Sequence, residues 1–251
     1  MDIVVAMKQV PDLQQLRIRN REPVMADVPL TFGKIDKNAL EAAVLLKEEH
    51  GGEVVVVAAG SEELEDTIKE AMAAGGDRSI MLADDKAGDL DSAESAEILA
   101  QLIKQVDDCG LIIFGEGSGD NYSGQVGSRV AEKLDLPQVG SVTQIIIDGE
   151  KLRLTRSLED SVEIVEVMMP AVVIVTADLN EPRIPSVSQV LKAGRKPKEI
   201  ISLDELEQPA AEKTLTTLSN LAPEVNRKRI TIKSVEELVE ILKTEGFVGG
   251  N

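Results

Sequence analysis

The sequence predicts an α/β fold: a doubly wound, mostly parallel sheet with an added antiparallel hairpin and a C-terminal arm. Three observations carry this reading. Short apolar runs at Ile3–Ala6, Glu53–Ala59, Ser79–Leu82 and Leu111–Phe114 alternate with helical patterns of about 10 to 15 residues. The run EVVVVAA is apolar almost throughout, as a parallel strand buried on both faces must be. Finally, Leu111–Phe114 stops at the glycine cluster GEGSGDNYSGQVG, residues 115–127, before a helical pattern resumes.

Taken in order, Ile3 to Ala6 is the first strand, broken by Pro11 in KQVPD. Asn38–Glu49 carries a helical stripe (Ala39, Leu40, Ala42, Ala43, Leu45, Leu46) that ends at Gly51 and Gly52, where glycine suits a helix C-terminus. After Glu53–Ala59, Gly60 and Ser61 open a helix to about Ala74, with Glu63 and Glu65 in its first turn, where acids oppose the helix dipole. Ser79–Leu82, a helix over Ser92–Val106, Leu111–Phe114 and a helix starting near Asn121 continue the alternation. Beyond Pro137 the pattern changes. Val142–Ile147, an Asp148-Gly149 turn and Leu152–Thr155 form a hairpin, Val162–Val167 alternates apolar with charged, and Ala171–Val175 is a last buried strand.

The predicted organisation is a nucleotide-binding α/β domain over residues 1–190 and an extension over 191–251. In the extension Pro197, Pro209 and Pro223 punctuate charged sequence, and Val235–Lys243 is an amphipathic helix. Such an arm lacks its own core and must lie on a partner or on the domain.

Composition narrows the function. With Lys+Arg 27 against Asp+Glu 45, the net charge of −18 opposes nucleic acid and anionic membranes. No apolar run approaches the ~20 residues that span a bilayer, and the start MDIVVAMKQV lacks the pattern of a secretory signal, so no membrane insertion and a cytoplasmic location are expected. One cysteine and one histidine supply no ordinary metal site. Asp107 and Asp108 beside Cys109 raise its thiol pKa, which argues against a reactive thiolate. No catalytic residue is assigned.

What remains is the glycine loop. Gly115, Gly117 and Gly119 run G-x-G-x-G with Asp120 where the dinucleotide fingerprint has its third glycine, which disfavours an ordinary Rossmann dehydrogenase. Main-chain N–H groups after a strand, with Ser118, Ser123 and Gln125, suit phosphate or ribose. Asp120 has two roles open, ribose acceptor or helix cap, and Tyr122 either stacks on a ring or packs. A turn without any ligand is the competing reading of the loop, and an adenine-nucleotide hydrolase or ligase lacks a P-loop or acid–base set.

KQVPD (8–12), KNALEAAVLLKE (37–48), the glycine loop, LPQVGSVTQI (136–145), PAVVIV (170–175) and NEPRIPSVSQVLKA (180–193) together resemble the β subunit of electron transfer flavoproteins, over nearly all of the first 200 residues. The resemblance implies a Rossmann-like, adenine-nucleotide-binding fold and a heterodimer with an α subunit carrying the redox-active FAD. It implies a nucleotide held against Ala6, the segment Gly33, Lys34, Ile35 and Asp36, Ala59, and the loop Gly115, Gly117, Ser118, Gly119, Asp120, Ser123, Gly124, Gln125 and Val126. GEGSGD is similar to the small-residue loop of the Fix-type, electron-bifurcating branch, which implies FAD rather than AMP in this subunit. In that branch NADH supplies a hydride, one electron going to ferredoxin or flavodoxin and one through the α-subunit FAD to an acyl-CoA or other flavin dehydrogenase. In the AMP-holding alternative, single electrons pass from dehydrogenases through the α-subunit FAD. Small residues let a larger ligand approach the backbone, and a branched side chain at Gly117 is expected to fill the space of its phosphate. Val187 falls at the family's apolar docking anchor, with Lys192 in its basic flank. Ile184 stands where an aromatic is common, and Ser157 where a glutamate is frequent.

Overall fold

The computed structural model describes residues 1–88, 90–207, 216–225, 227 and 229–248; Pro209 therefore lies outside the described residues. Among the described residues, thirteen strands and six α-helices follow the order β1 (Asp2–Ala6), β2 (Gln9–Pro11), β3 (Arg17–Arg19), β4 (Glu22–Val24), β5 (Leu30–Phe32), α1 (Lys34–His50), β6 (Val54–Gly60), α2 (Leu64–Ala74), β7 (Arg78–Ala83), α3 (Ser92–Ile103), β8 (Cys109–Gly115), α4 (Val126–Leu134), β9 (Gln138–Asp148), β10 (Lys151–Ser157), β11 (Val162–Met168), β12 (Ala171–Val175), α5 (Val187–Ala193), β13 (Lys198–Ile201) and α6 (Val235–Thr244).

Nine strands form one sheet in the order β11-β10-β9-β12-β8-β1-β6-β7-β13. From β9 through β13 in that order every pairing is parallel, while β10 pairs antiparallel with both β9 and β11. The chain starts at β1, winds outward through β6 and β7, then returns to place β8 on the other side of β1. That reversal makes the gap between β1 and β8 the topological switch point. Successive side chains of a strand serve opposite faces. Ile3 and Val5 of β1 join the core under α1 and α2, and Val4 and Ala6 join the core under α3. Every residue of β12 is buried, as the apolar run predicts.

The fold agrees with the sequence in class and departs from it locally. Pro11 does not simply break the chain: Gln9–Pro11 pairs antiparallel with Leu30–Phe32. The hairpin loop is Gly149-Glu150, one residue later than expected, because Asp148 already pairs with Lys151 and Gly149 takes the positive φ of 61°. Glu63 is the N-cap of α2 instead of a first-turn residue. Lys198–Ile201 adds an edge strand beside β7 that the charged, short sequence KEII did not announce.

Two compact units are distinguished: residues 1–17 with 24–218, and residues 18–23 with 219–251. Within the second, Ala222 N–H donates to Arg21 O and Arg21 donates to Ala222 O and to Glu224 Oε1. None of its described residues is buried, and Ser234 caps α6 by accepting from Glu237 N–H.

Candidate functional site at the β1–β8 switch point

The candidate site forms where β1, β6 and β8 end. Ala6 closes β1 and is buried, Ala59 is half-buried near the end of β6, and Gly115 closes β8. Gly33 is the N-cap of α1, whose first turn holds exposed Lys34, half-buried Ile35 and buried Asp36. This helix starts four residues before the expected Asn38 because its first turn faces the site and carries no apolar stripe to announce it.

Asp36 is the centre of the arrangement. Its Oδ2 accepts from the Lys8 main-chain N–H at 2.8 Å, and a Cβ on Gly115 would come within 2.5 Å of its Oδ1. Burial drives its pKa up to about 7, against the downward pull of the Lys8 N–H and the Lys8 charge, while Asp120 adds a further upward push. Lys8 Nζ in turn pairs with Asp120 Oδ2 at 2.5 Å. Partial burial raises the Asp120 pKa, but the Lys8 ammonium and the Ser118 hydroxyl outweigh it and hold the carboxyl below its usual range. Lys8 was missed as a site residue, although a lysine placed directly after the first apolar strand was a legible signal.

The loop after β8 is irregular for longer than expected. Helix α4 begins at Val126, five residues after Asn121, because Tyr122 (φ 45°) and Gly124 (φ 63°) adopt left-handed backbone that a right-handed helix cannot contain. Asp120 is therefore not the helix cap. Its partner is Lys8, and Gln125 occupies the N-cap position without a side-chain cap bond. Gln125 Oε1 accepts from Ser92 Oγ and from Arg129, joining the start of α3 to α4. Ser118 Oγ donates to Asn121 Oδ1, while Ser123 and Gly124 are exposed.

The loop glycines do not leave one open slot. A Cβ on Gly117 would meet the Tyr122 ring at 2.9 Å and one on Gly119 would meet Leu13 Cδ1 at 3.0 Å, so this chain's own side chains occupy those spaces. A branched residue at Gly117 would first meet the Tyr122 ring. That tyrosine packs on Gly117 and donates its hydroxyl to Glu116 Oε2 at 2.9 Å. Farther along, Gly127 lets α4 approach the sheet, since a Cβ there would lie 2.9 Å from Ile174 and 3.2 Å from Phe114.

Helices α1, α2 and α4 start without a side-chain cap, whereas Asp91, Ser186 and Ser234 cap α3, α5 and α6. The first-turn N–H groups of α2 are taken by the carbonyls of Ser61, Glu62 and Glu63, whereas the uncapped starts of α1 and α4, which follow β5 and β8, favour an anion. A nucleotide phosphate fits this set: the uncapped N-termini of α1 and α4 and the exposed residues 119–125 suit an anion, with the Lys8–Asp36–Asp120 cluster beside them.

Val187 and Lys192 belong to a different surface. They lie on α5, which packs on α2, and Val187 is 77% exposed. Ser186 opens α5 with a capping box to Gln189.

The sequence profile of the family described as "Electron transfer flavoprotein domain" matches residues 24–207. The chain is 36% identical over 210 residues to an electron transfer flavoprotein subunit beta of Thermoanaerobacterium thermosaccharolyticum, covering 82% of this chain and 80% of that one. Its similarity to the subunit beta of Bacillus subtilis spans 99% of this chain and 100% of that one at 30% identity. It is also 34% identical to the caffeyl-CoA reductase-Etf complex subunit CarD of Acetobacterium woodii, over 78% of this chain and 76% of that one.

Proposed function

Since the chain belongs to the family of electron transfer flavoprotein β subunits, we propose that it pairs with an α subunit and holds FAD at the β1–β8 switch point, taking electrons from NADH for bifurcation. The observation that carries the nucleotide reading is the convergence of uncapped helix starts and the Asp36–Lys8–Asp120 cluster at the carboxyl ends of the central strands. Similarity to the CarD subunit of a reductase–Etf complex and the small-residue loop GEGSGD support the FAD, bifurcating version over AMP.

A bound flavin supplies the chemistry of accepting a hydride from NADH and releasing two electrons singly. This chain's part is to bind and orient. Main-chain N–H groups of the 115–126 loop and the α4 start would hold phosphate, Asp36 ties the ends of β1 and β8 to α1, and Lys8 pairs with Asp120 and lowers its pKa. In this reading ferredoxin or flavodoxin and, by way of the α-subunit FAD, an acyl-CoA or other flavin dehydrogenase would be the two acceptors. That dehydrogenase docks on α5 through Val187 with Lys192 at its margin, and the part of the 191–251 extension beyond β13 supplies the arm that contacts the α subunit.

Nucleotide counting on the purified αβ complex tests this reading. Two FAD per heterodimer is the expected result; one FAD and one AMP overturns the bifurcating version and leaves the AMP-holding β subunit in its place.

A further inference from the structure

Ahead of α5 the chain crosses a cavity of about 290 Å³ floored by Met7, Phe32, Leu40 and Ala74 and roofed by Pro182–Pro185. The roof has little apolar packing beneath it, and Ile184 points out, 93% exposed. Polar clasps hold it instead. Glu41 of α1, 7% exposed, accepts at Oε2 from both Arg183 N–H (3.0 Å) and Arg183 Nε (2.8 Å), and at Oε1 from Arg183 Nη2 (3.0 Å). Glu48, nearly two turns on, accepts from Arg183 Nη1 at 2.7 Å. Upstream, Asn38 Nδ2 donates to Asn180 O at 2.6 Å, and Asn180 Nδ2 returns a bond to Asn38 O. The two carboxylates raise the Arg183 pKa, so the guanidinium stays charged throughout.

A bidentate carboxylate that also takes the main-chain N–H of the same arginine fixes both its side chain and its backbone. The residues that follow, Ile184, Val187 and Leu191, are 93%, 77% and 75% exposed, and the last two lie one helical turn apart on α5. We propose that Glu41 is a positioning residue for partner docking, holding Arg183 so that Ile184, Val187 and Leu191 form a preformed apolar ridge for a flavin dehydrogenase. This rests on the docking role of Val187 proposed above. Ordering the loop in advance removes an entropy cost that association would otherwise bear.

The test compares Glu41→Ala with Val187→Ala in the full αβ complex by backbone hydrogen exchange over residues 181–186 and by the KM for an acyl-CoA dehydrogenase as electron acceptor. Glu48→Ala serves as a milder second variant, since Glu48 is exposed and its loss leaves the Glu41 bonds in place. Glu41→Ala is expected to speed exchange and raise KM about three- to tenfold at unchanged kcat and nucleotide content, the worth of pre-ordering one or two side chains. Glu41→Gln, which keeps one acceptor, is expected to fall between. Val187→Ala is expected to raise KM with exchange unchanged. Unchanged exchange in Glu41→Ala overturns the proposal, as does faster exchange with a normal KM when Val187→Ala raises it. A normal KM in Val187→Ala overturns the docking reading itself, and the positioning role with it.

Discussion

Gly115 and Asp36 share one space: a Cβ on the glycine would lie 2.5 Å from Asp36 Oδ1 and 3.1 Å from the Asp36 main-chain nitrogen. The same carboxylate accepts from the Lys8 N–H. The ends of β1 and β8 and the first turn of α1 therefore meet on a single buried carboxyl group, and the site's shape depends on all three staying in register.

Gly115→Ala is expected to destabilise the protein by about 1–3 kcal/mol, because backbone atoms of α1 and a buried carboxylate cannot swing aside. Loss of bound nucleotide should accompany it. Gly117→Ala is the contrast: its neighbour is the ring of Tyr122, 54% exposed and able to shift outward at the cost of its Glu116 bond, so the change should stay within about 1 kcal/mol. Chemical unfolding and nucleotide content of the two variants check this, and equal effects would count against the geometry.

Asp36 gives a pH dependence of definite sign. Its carboxyl titrates near 7 in the folded chain against 3.8 ordinarily, so the folded state binds the proton more tightly. The stability this contributes is whole below about pH 4 and is lost as pH rises toward and through 7. Asp36→Asn keeps an acceptor for Lys8 N–H and cannot ionise. The unfolding free energy of the variant minus that of the parent should therefore rise between about pH 4 and pH 7, by at most a few kcal/mol; a flat difference would refute the assignment.

Lys8→Ala removes the partner of Asp120. The pair is partly exposed, with side chains 41% and 29% accessible, so its loss should cost less than about 1 kcal/mol. The Asp120 pKa should climb, since burial then acts with the ammonium gone. Carbon-detected NMR titration of the carboxyl reads this directly, and an unmoved Asp120 would show that Lys8 does not set its charge.

Cys109 should resist alkylation. Burial, with Asp2 and Asp108 nearby, pushes its thiol up to about 12, so the thiolate is scarce at pH 8. Native protein is expected to react with iodoacetamide far more slowly than the unfolded chain; comparable rates would mean the cysteine is open.

The strands of the central sheet were legible because burial on both faces demands unbroken apolar runs, as at Val54–Ala58 and Ala171–Val175. The site was legible in part. The 115–126 loop stood out by its glycine cluster after an apolar strand and Gly33–Asp36 came from family resemblance, and the two meet at the ends of β1 and β8. The start of α4 was misplaced because positive φ at a non-glycine residue, Tyr122, has no compositional mark. Glu41 and Arg183 lie 142 positions apart, and such a pairing leaves no trace in local pattern.

By itself the sequence determined the fold class, the order of the parallel strands' apolar runs and the family, since these follow from composition, periodicity and contiguous motifs. Only the tertiary structure decided that Lys8 is a wall of the site, that the glycines make room for Asp36, Tyr122 and Leu13, and that Arg183 is clasped to α1. Those are contacts between distant segments. Side-chain packing and charge pairing at such range depend on where the sheet brings strand ends together, a property of topology that residue spacing along the chain does not contain.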